Sequence, residues 1–206
     1  MLSFFNFISK SLYSQILKLL QTAMNNFSTY DNELEPASPI VEVRELPKSA
    51  LLLVRELALR IFPFTYMDIV DTEQINYMME LFYTPEALLA QHASGQVFLV
   101  IYFEGNAAGY ASYTRLNDEG DFKLNKIYLD IEIQGKGLGR ILLNETINRI
   151  IASGGRSLQL NVNRNNKAVG FYKSMGFSIM KEELLDIGNG FFMDDYVMGL
   201  SLKPRA

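Results

Sequence analysis

The chain has 206 residues, of which 49% are hydrophobic, so it is long and apolar enough to bury one full core. Its formal net charge of -4 argues against nucleic acid as a partner, because proteins bind nucleic acid largely through basic surfaces. The chain has no cysteine and a single histidine, His92, which excludes disulfides, cysteine-ligated metals, a cysteine nucleophile and any metal site that needs several histidines.

Residues 1–24 predict an amphipathic helix appended to the domain. Its apolar residues recur near helical spacing at Phe5, Ile8, Leu12, Ile16, Leu19, Leu20 and Ala23. Lys10 and Lys18 interrupt the apolar run, which argues against a signal peptide and a bilayer span. The helix could pack on the domain or a partner, or lie on a membrane surface, although its polar face is poor in Lys and Arg. Residues 25–39 predict a linker, and the domain is expected to span residues 40–203.

The domain begins with a predicted strand and two helical regions. Residues 40–43 are mostly β-branched and predict a short strand. Pro47 then opens a helix that we expect Pro63 to end. Residues 72–92 predict a second helical region, which is interrupted at Pro85.

Three strands follow this helical region. Residues 97–103 are continuously apolar, as a central strand should be. Residues 108–114 form the next strand, across the hairpin signal Glu104-Gly105-Asn106. Residues 122–130 form the fourth strand of the domain.

The fourth strand changes the parity of its apolar positions. They lie on even numbers up to Leu124 and on odd numbers from Ile127. Because strand side chains alternate between the two faces, this change indicates one inserted residue, a β-bulge. A bulge would splay the strand from its neighbour and leave backbone groups free for a ligand. The alternative is that Asn125 and Lys126 lie on a solvated face.

A glycine-rich segment follows, with the sequence Gln134-Gly135-Lys136-Gly137-Leu138-Gly139-Arg140. It lies between the fourth strand and a helix that runs to about Ser153. Its spacing matches neither a P-loop nor a dinucleotide fingerprint. Unpaired amides at a helix start, together with the helix dipole, suit a diphosphate, and glycine lets its oxygens approach the backbone. The alternative is a tight turn without a ligand.

The remaining elements complete an α/β domain. Residues 158–162 predict a strand, and residues 165–174 predict a short helix that Gly176 ends. Residues 177–183 and 191–202 predict two closing strands. We therefore expect a mixed central sheet of about seven strands with four helices.

Two segments together resemble the GNAT superfamily of acyl-CoA-dependent N-acyltransferases. The family's glycine motif, Gln/Arg-x-x-Gly-x-Gly/Ala, is matched here by Gln134, Gly137 and Gly139. Its later motif, Asn-x-x-Ala-x-x-x-Tyr-x-x-x-Gly-Phe, is matched by Asn165, Ala168, Tyr172, Gly176 and Phe177. The resemblance covers roughly residues 40–202 and implies the GNAT fold.

The resemblance also implies specific roles. Acetyl-CoA would be the co-substrate, with its diphosphate held by backbone N–H groups of the glycine segment. The binding residues of that segment would be Gln134, Gly135, Lys136, Gly137, Leu138, Gly139 and Arg140. The pantetheine arm would pair with the main chain of Ile127, Tyr128 and Leu129 and accept a hydrogen bond from Asn165. Tyr172 would stand near the sulfur and protonate the departing thiolate, and would be the catalytic residue.

The implied chemistry is direct transfer of acetyl from acetyl-CoA to an amine, which requires no cysteine and no metal. A free strand N–H near Leu129 could stabilise the oxyanion. The amine must first lose a proton, and a base must accept it. The candidate carboxylates are Asp130, Glu132, Asp194 and Asp195, and no motif selects among them.

The acceptor is expected to be a primary amine. Residues 66–91 and 193–200 loosely resemble bacterial spermidine/spermine N-acetyltransferases, which favours a small, polyamine-like acceptor. We expect Phe62, Phe64, Tyr66 and Tyr83 to line its pocket. A protein or peptide amine is the second interpretation, and a non-catalytic acyl-CoA-binding module is the third.

Expected partners follow from these interpretations. They are a small-molecule amine and no nucleic acid, and the polar N-terminal helix argues against a membrane. The oligomeric state stays open, with a homodimer among the alternatives. Because a cysteine-free chain suits a reducing compartment, we expect a cytoplasmic location.

Overall fold

Seven strands form one mixed sheet within residues 39–202, which are the residues that the computed structural model describes. The strands are β1 (Val41–Glu45), β2 (Val97–Phe103), β3 (Asn106–Arg115), β4 (Asp121–Leu129), β5 (Ser157–Asn163), β6 (Ser178–Gly188) and β7 (Phe191–Ser201). Their order is β1-β2-β3-β4-β5-β7-β6, and β4 and β5 are the parallel neighbours. The predicted mixed α/β sheet is therefore confirmed. The predicted helix over residues 1–24 lies outside the described residues, as does most of the linker over residues 25–39.

Five helices flank the sheet in the described part, one more than predicted. They are α1 (Leu52–Tyr66), α2 (Thr72–Tyr83), α3 (Pro85–Ala93), α4 (Leu138–Ala152) and α5 (Ala168–Ser174). The second helical region is two helices because Thr84 is extended ahead of Pro85 and its hydroxyl caps α3. None of the helices within residues 39–202 is long and apolar enough to cross a membrane.

Two predicted helix ends were wrong. Helix α1 continues through Pro63 to Tyr66, because Phe62 and Tyr66 pack in the core on either side of the proline and hold the last turn. Helix α5 begins three residues after Asn165. The side-chain oxygens of Asn163 and Asn166 accept hydrogen bonds from the backbone N–H groups of Asn165 and Ala168. These bonds hold residues 164–167 in turns instead of a helix.

The sheet has an apolar core on each face. One core packs α4 and α5 against the sheet through residues such as Leu142 and Leu160. The other packs α1, α2 and α3 against the opposite face through residues such as Leu57 and Val100. Helix α2 is anchored at its start by Asp71, whose carboxylate accepts the Gln74 amide at 2.7 Å.

The predicted bulge lies in β4 at Asn125. Ser112 of β3 pairs with Lys126, and Tyr113 pairs with Leu124, so Asn125 is the extra residue. The alternative of a solvated face is wrong for Lys126, which is 8% exposed and donates from Nζ to Gln91 Oε1 at 2.9 Å. Beyond Leu124, β4 has no pairing with β5, so the two strands diverge.

Candidate active site

The divergence of β4 and β5 opens a cleft of about 680 Å³ in the middle of the sheet. Helix α1 and the residues after it line one side, and the glycine segment and α5 line the other. With the exception of Lys136, the cofactor-binding residues predicted from the sequence therefore lie around one cavity. Its volume is in the range of small-molecule and cofactor sites.

The edge of β4 that faces the cleft presents main-chain groups that pair with no neighbouring strand among the described residues, although the Leu129 carbonyl accepts a long hydrogen bond of 3.5 Å from the Gln134 side chain. The Asp130 amide donates to the Ala108 carbonyl at 2.9 Å, which fixes the alternation of hydrogen bonds between β3 and β4. By this alternation, the N–H and C=O groups of Ile127 and Leu129 point away from β3. Those of Tyr128 point towards β3, so the predicted role of its main chain in the cleft does not fit this geometry.

The glycine segment holds a run of unpaired amides. Gly135 and Gly137 have φ angles of +82° and +78°, where other residues are strained. Within residues 39–202, the amides from Gly135 to Gly139 donate to no protein acceptor, whereas the Arg140 amide donates to the Gly137 carbonyl at 3.0 Å. Five consecutive N–H groups at the start of α4 therefore remain available, and the Arg140 amide is engaged in the helix.

The space beside these amides is open on the ligand side and tight on the protein side. A Cβ added to Gly135 or Gly137 would meet no atom within 4 Å, whereas one on Gly139 would lie 3.2 Å from Leu129 Cδ1. The small residue at Gly139 therefore brings the start of α4 against β4. The Arg140 side chain lines the cleft, while Lys136 Nζ lies 4.6 Å from the centre of the Phe103 ring, outside the cleft lining.

Tyr172 is held in the cleft wall by the end of its helix. Gly176 has a φ of +91°, and the Phe177 amide donates to the Tyr172 carbonyl at 3.0 Å, closing a Schellman turn. The rings of Tyr172 and Phe177 pack with centroids 5.8 Å apart. This explains why tyrosine, glycine and phenylalanine recur at fixed spacing in the motif.

The Tyr172 hydroxyl is a protonated donor without a partner in the described part of the chain. The side chain is 7% exposed, and burial, with a smaller effect of Tyr66, raises the pKa of this hydroxyl far above its usual value. Asn165 also lines the cleft; its backbone is fixed by Asn163, and its side chain is exposed.

Two of the four aromatic residues expected on the acceptor side line the cleft. Phe64 and Tyr66 line the cleft, but Phe62 and Tyr83 are each 1% exposed and lie behind it in the core. Phe62 stacks against Tyr66 with ring centroids 4.5 Å apart, and the hydroxyls of Tyr66 and Tyr128 are 3.1 Å apart. Tyr128 and the buried Phe62 therefore position Tyr66 in the cleft wall. Helical spacing alone does not distinguish buried residues such as Phe62 and Tyr83 from those that line the cleft.

The four candidate carboxylates have different surroundings. Asp130 pairs with Arg60 at 2.7 Å, Asp194 pairs with Arg164, and Glu132 is exposed. Asp195 is 1% exposed, and neither of its carboxylate oxygens has a hydrogen-bond partner among the described residues. Burial raises the pKa of Asp195 from 3.8 to about 6, against a smaller lowering by the neighbouring Asn161 amide.

Comparison with known proteins identifies a family and a fold. Residues 69–193 match the family model of the acetyltransferase (GNAT) domain. PaiA N-acetyltransferase from Thermoplasma acidophilum, solved in complex with coenzyme A, is 24% identical and superposes with a TM-score of 0.66 over 79% of this chain and 99% of that one. A GNAT-family acetyltransferase from Streptococcus pneumoniae is 25% identical, with a TM-score of 0.54 over 79% of this chain and 99% of that one.

A curated relative matches a shorter stretch. The peptidyl-lysine N-acetyltransferase YjaB of Salmonella typhimurium is 34% identical over 70 residues, which are 33% of this chain and 45% of that protein. The match therefore spans less than half of the relative's length.

Proposed function

The chain belongs to the family of GNAT acetyltransferase domains, and from this premise we propose that it transfers acetyl from acetyl-CoA directly to a primary amine, with a small, polyamine-like amine as the first candidate. One observation carries the proposal. The amides from Gly135 to Gly139 have no acceptor within residues 39–202, and four of these five residues, all but Lys136, line a cleft whose wall also holds Tyr172 and the outer edge of β4.

The glycine segment suits the diphosphate of the coenzyme. Converging N–H donors and the dipole of α4, about half a positive charge at its start, both favour an anion at this point. The absence of a Cβ at Gly135 and Gly137 leaves room for it, and the Arg140 guanidinium lines the same cleft. When bound, acetyl-CoA supplies the activated acetyl thioester.

The free edge of β4 would orient the extended arm of the coenzyme. The main-chain groups of Ile127 and Leu129 would pair with its amides as a neighbouring strand would, and the Asn165 side chain would add a hydrogen bond. The Leu129 N–H, which points away from β3, would also stabilise negative charge on the reacting carbonyl oxygen.

Tyr172 would donate a proton or a hydrogen bond to the leaving sulfur. A donor must be protonated, and the raised pKa of the Tyr172 hydroxyl ensures this across the working pH range. A thiol has an ordinary pKa of about 8.5, so the buried hydroxyl favours a hydrogen bond to the thiolate over complete loss of its proton.

The side of the cleft opposite the glycine segment indicates the class of the acceptor. Phe64, Tyr66 and the Asp68 carboxylate line it, which suits an alkylammonium group. The second candidate is a lysine side chain of a protein or peptide, which the name of the Salmonella typhimurium relative supports. The resemblance to spermidine/spermine acetyltransferases, the homodimer and the cytoplasmic location stay predictions.

The test is thiol release from acetyl-CoA with a panel of polyamines, alkylamines and lysine peptides. We expect wild-type protein to release thiol with at least one amine and Tyr172→Phe to lower kcat about 100-fold with unchanged coenzyme binding. Tyr113→Phe removes a hydroxyl from a buried tyrosine that lies outside the cleft lining, and it should behave as wild type. Binding of acetyl-CoA without thiol release by any amine would favour the non-catalytic alternative.

A further inference from the structure

Asp195 is a buried carboxylate without a partner. It is 1% exposed, and neither oxygen accepts a hydrogen bond of normal geometry within residues 39–202. The Asn161 side-chain amide is close enough to act on it as a hydrogen-bond donor, which lowers its pKa against the larger effect of burial. Buried polar atoms nearly always have a partner, because burying a charge without one is costly. One neutral amide does not balance a buried negative charge, and none of the ion pairs in the described part of the chain includes Asp195, so a cationic partner is expected to come from a ligand.

The position of Asp195 places it beside the acceptor side of the cleft. On β7, Tyr196 and Met198 pack towards α4 and α5, whereas Met193 packs towards α1 and α2. By strand alternation, Asp195 shares the face of Met193.

Asp195 pairs with Asn163 of β5 and with Glu183 of β6, and Asn161 lies on the same face of β5, where its amide donates to Glu183. Asn161 and Tyr66 line the cleft, and Asp195 lies behind this lining. Its charge adds to the effect of burial in raising the pKa of Tyr66, as expected for a neighbour.

We propose, resting on the acetyl-transfer function above, that the Asp195 carboxylate accepts the proton that the acceptor's ammonium group must lose before its nitrogen can attack. The ammonium would enter between Tyr66 and Asn161 and bring further N–H donors and a positive charge directly to the Asp195 carboxylate. The other three candidate carboxylates do not offer this, since two are paired with arginines and one faces solvent.

The proton and electron balance of the step is simple. One N–H bond of the ammonium breaks, its proton goes to an oxygen of Asp195, and the electron pair stays on nitrogen as the nucleophile. Asp195 becomes a neutral carboxylic acid and returns the proton to solvent after product release. The second proton that nitrogen loses on forming the amide goes to the leaving thiolate, so the step needs no further reactant.

The raised basicity of Asp195 makes this transfer more favourable. An alkylammonium has an ordinary pKa of about 10. The pKa of Asp195, about 6, lies roughly four units below it, whereas the pKa of an unburied aspartate lies about six units below it. Burial thus improves the equilibrium for proton transfer about 100-fold.

Other charged groups act on Asp195 less strongly than burial does. Asp194 on its own strand and Glu183 on β6 raise its pKa, and Lys123 on β4 lowers it. Glu183 is itself paired with Lys181 and accepts the Asn161 amide at 2.9 Å. From α1, the titratable neighbour is Tyr66.

The experiment compares wild-type protein with Asp195→Asn, and uses n-butylamine as a probe because polyamines and lysine side chains share its ammonium group. Glu182→Gln is the matched control, since it makes the same change at an exposed carboxylate on β6. Thiol release is measured from pH 5 to pH 9, and calorimetry measures n-butylamine binding to the coenzyme A complex at pH 7.5. Asp195→Glu is a second variant that restores a proton acceptor.

We expect Asp195→Asn to lower kcat/KM for the amine at least 100-fold and to leave KM for acetyl-CoA within twofold. Wild-type kcat/KM should rise with pH through about 6, and Asp195→Asn should lack this rise. Asp195→Glu should regain part of the activity and the rise of kcat/KM with pH. Of the variants, Asp195→Asn alone should bind n-butylamine at least tenfold more weakly.

Two results would overturn the inference. One is an Asp195→Asn protein whose kcat/KM stays within threefold of wild type and still rises with pH through about 6. The other is a rise in KM for acetyl-CoA that equals the loss in kcat/KM for the amine, which would indicate a structural role. Should wild-type protein release no thiol with any amine, the proposed function fails, and the calorimetry then decides the role of Asp195 alone: equal n-butylamine binding by both proteins refutes it.

Discussion

Replacing Asp195 by asparagine should stabilise the protein, and the gain should grow with pH. The native protein holds the pKa of this carboxyl near 6, whereas the unfolded chain has the ordinary value of 3.8. The native state therefore binds the proton more tightly. Its stability is full below pH 3.8 and falls as pH rises through 6, because the charge must then be buried without a partner.

The magnitude follows from the difference between the two pKa values. About two units correspond to about 3 kcal/mol lost at pH 7.5, and about 1 kcal/mol is lost at pH 4.5. Asparagine has nearly the shape of aspartate and no charge, so Asp195→Asn should recover most of this loss. For a domain of this size, 1 kcal/mol shifts Tm by about 2–4 °C, which gives about 6–12 °C at pH 7.5.

The assay is thermal unfolding followed by circular dichroism at pH 4.5, 6.0 and 7.5, with Glu182→Gln as the control. The Tm difference between Asp195→Asn and wild type should widen with pH, and the control should show no such trend. A difference that is constant with pH, or an Asp195→Asn protein that is less stable at pH 7.5, would refute the reasoning. A more stable but inactive variant would show that the site is maintained at the expense of stability.

Three further predictions concern other parts of the chain. Gly137→Val should abolish acetyl-CoA binding by calorimetry without unfolding the domain, whereas Gly95→Val, at a similar φ of +90° in the turn before β2, should preserve binding. Burial lowers the pKa of Lys126 to about 8, so the native state loses this proton more readily than the unfolded chain does. The free energy of unfolding of wild-type protein in urea should therefore rise by about 2–3 kcal/mol between pH 8 and pH 10, and Lys126→Met should lack this rise. Asp71→Ala removes the cap of α2 and should cost about 1 kcal/mol in the same assay, and no measurable loss would contradict this role.

The features predicted best from the sequence are those that local geometry determines. The change of parity in β4 predicted the bulge at Asn125, because side chains along a regular strand keep alternating between its faces unless a residue is inserted. The spacing of Tyr172, Gly176 and Phe177 indicated a helix end, which the Schellman turn explains. The turn before α4 was predicted in the same way, from the spacing of its glycines.

The features that the sequence did not predict depend on distant neighbours. Pro63 does not end α1, because core packing from the sheet holds the next turn. Asp194 and Asp195 are adjacent and chemically identical, but strand alternation turns one towards Arg164 and the other towards the buried side of the sheet. No local pattern distinguishes two such carboxylates. The burial of Lys126 likewise depends on Gln91, which is 35 residues away.

The junction between β4 and β5 also has a mechanical consequence. In the described part of the chain, the strand pairing that joins the first four strands to the last three runs over residues 121–124 of β4 and 157–160 of β5. An extended molecule lying in the gap beyond this seam would bridge both halves and act as a removable eighth strand. Ligand binding in the gap would therefore make the sheet more rigid. Each catalytic cycle would then alternate between a ligand-bound state, in which the two halves of the sheet are joined, and a free state, in which they can move apart.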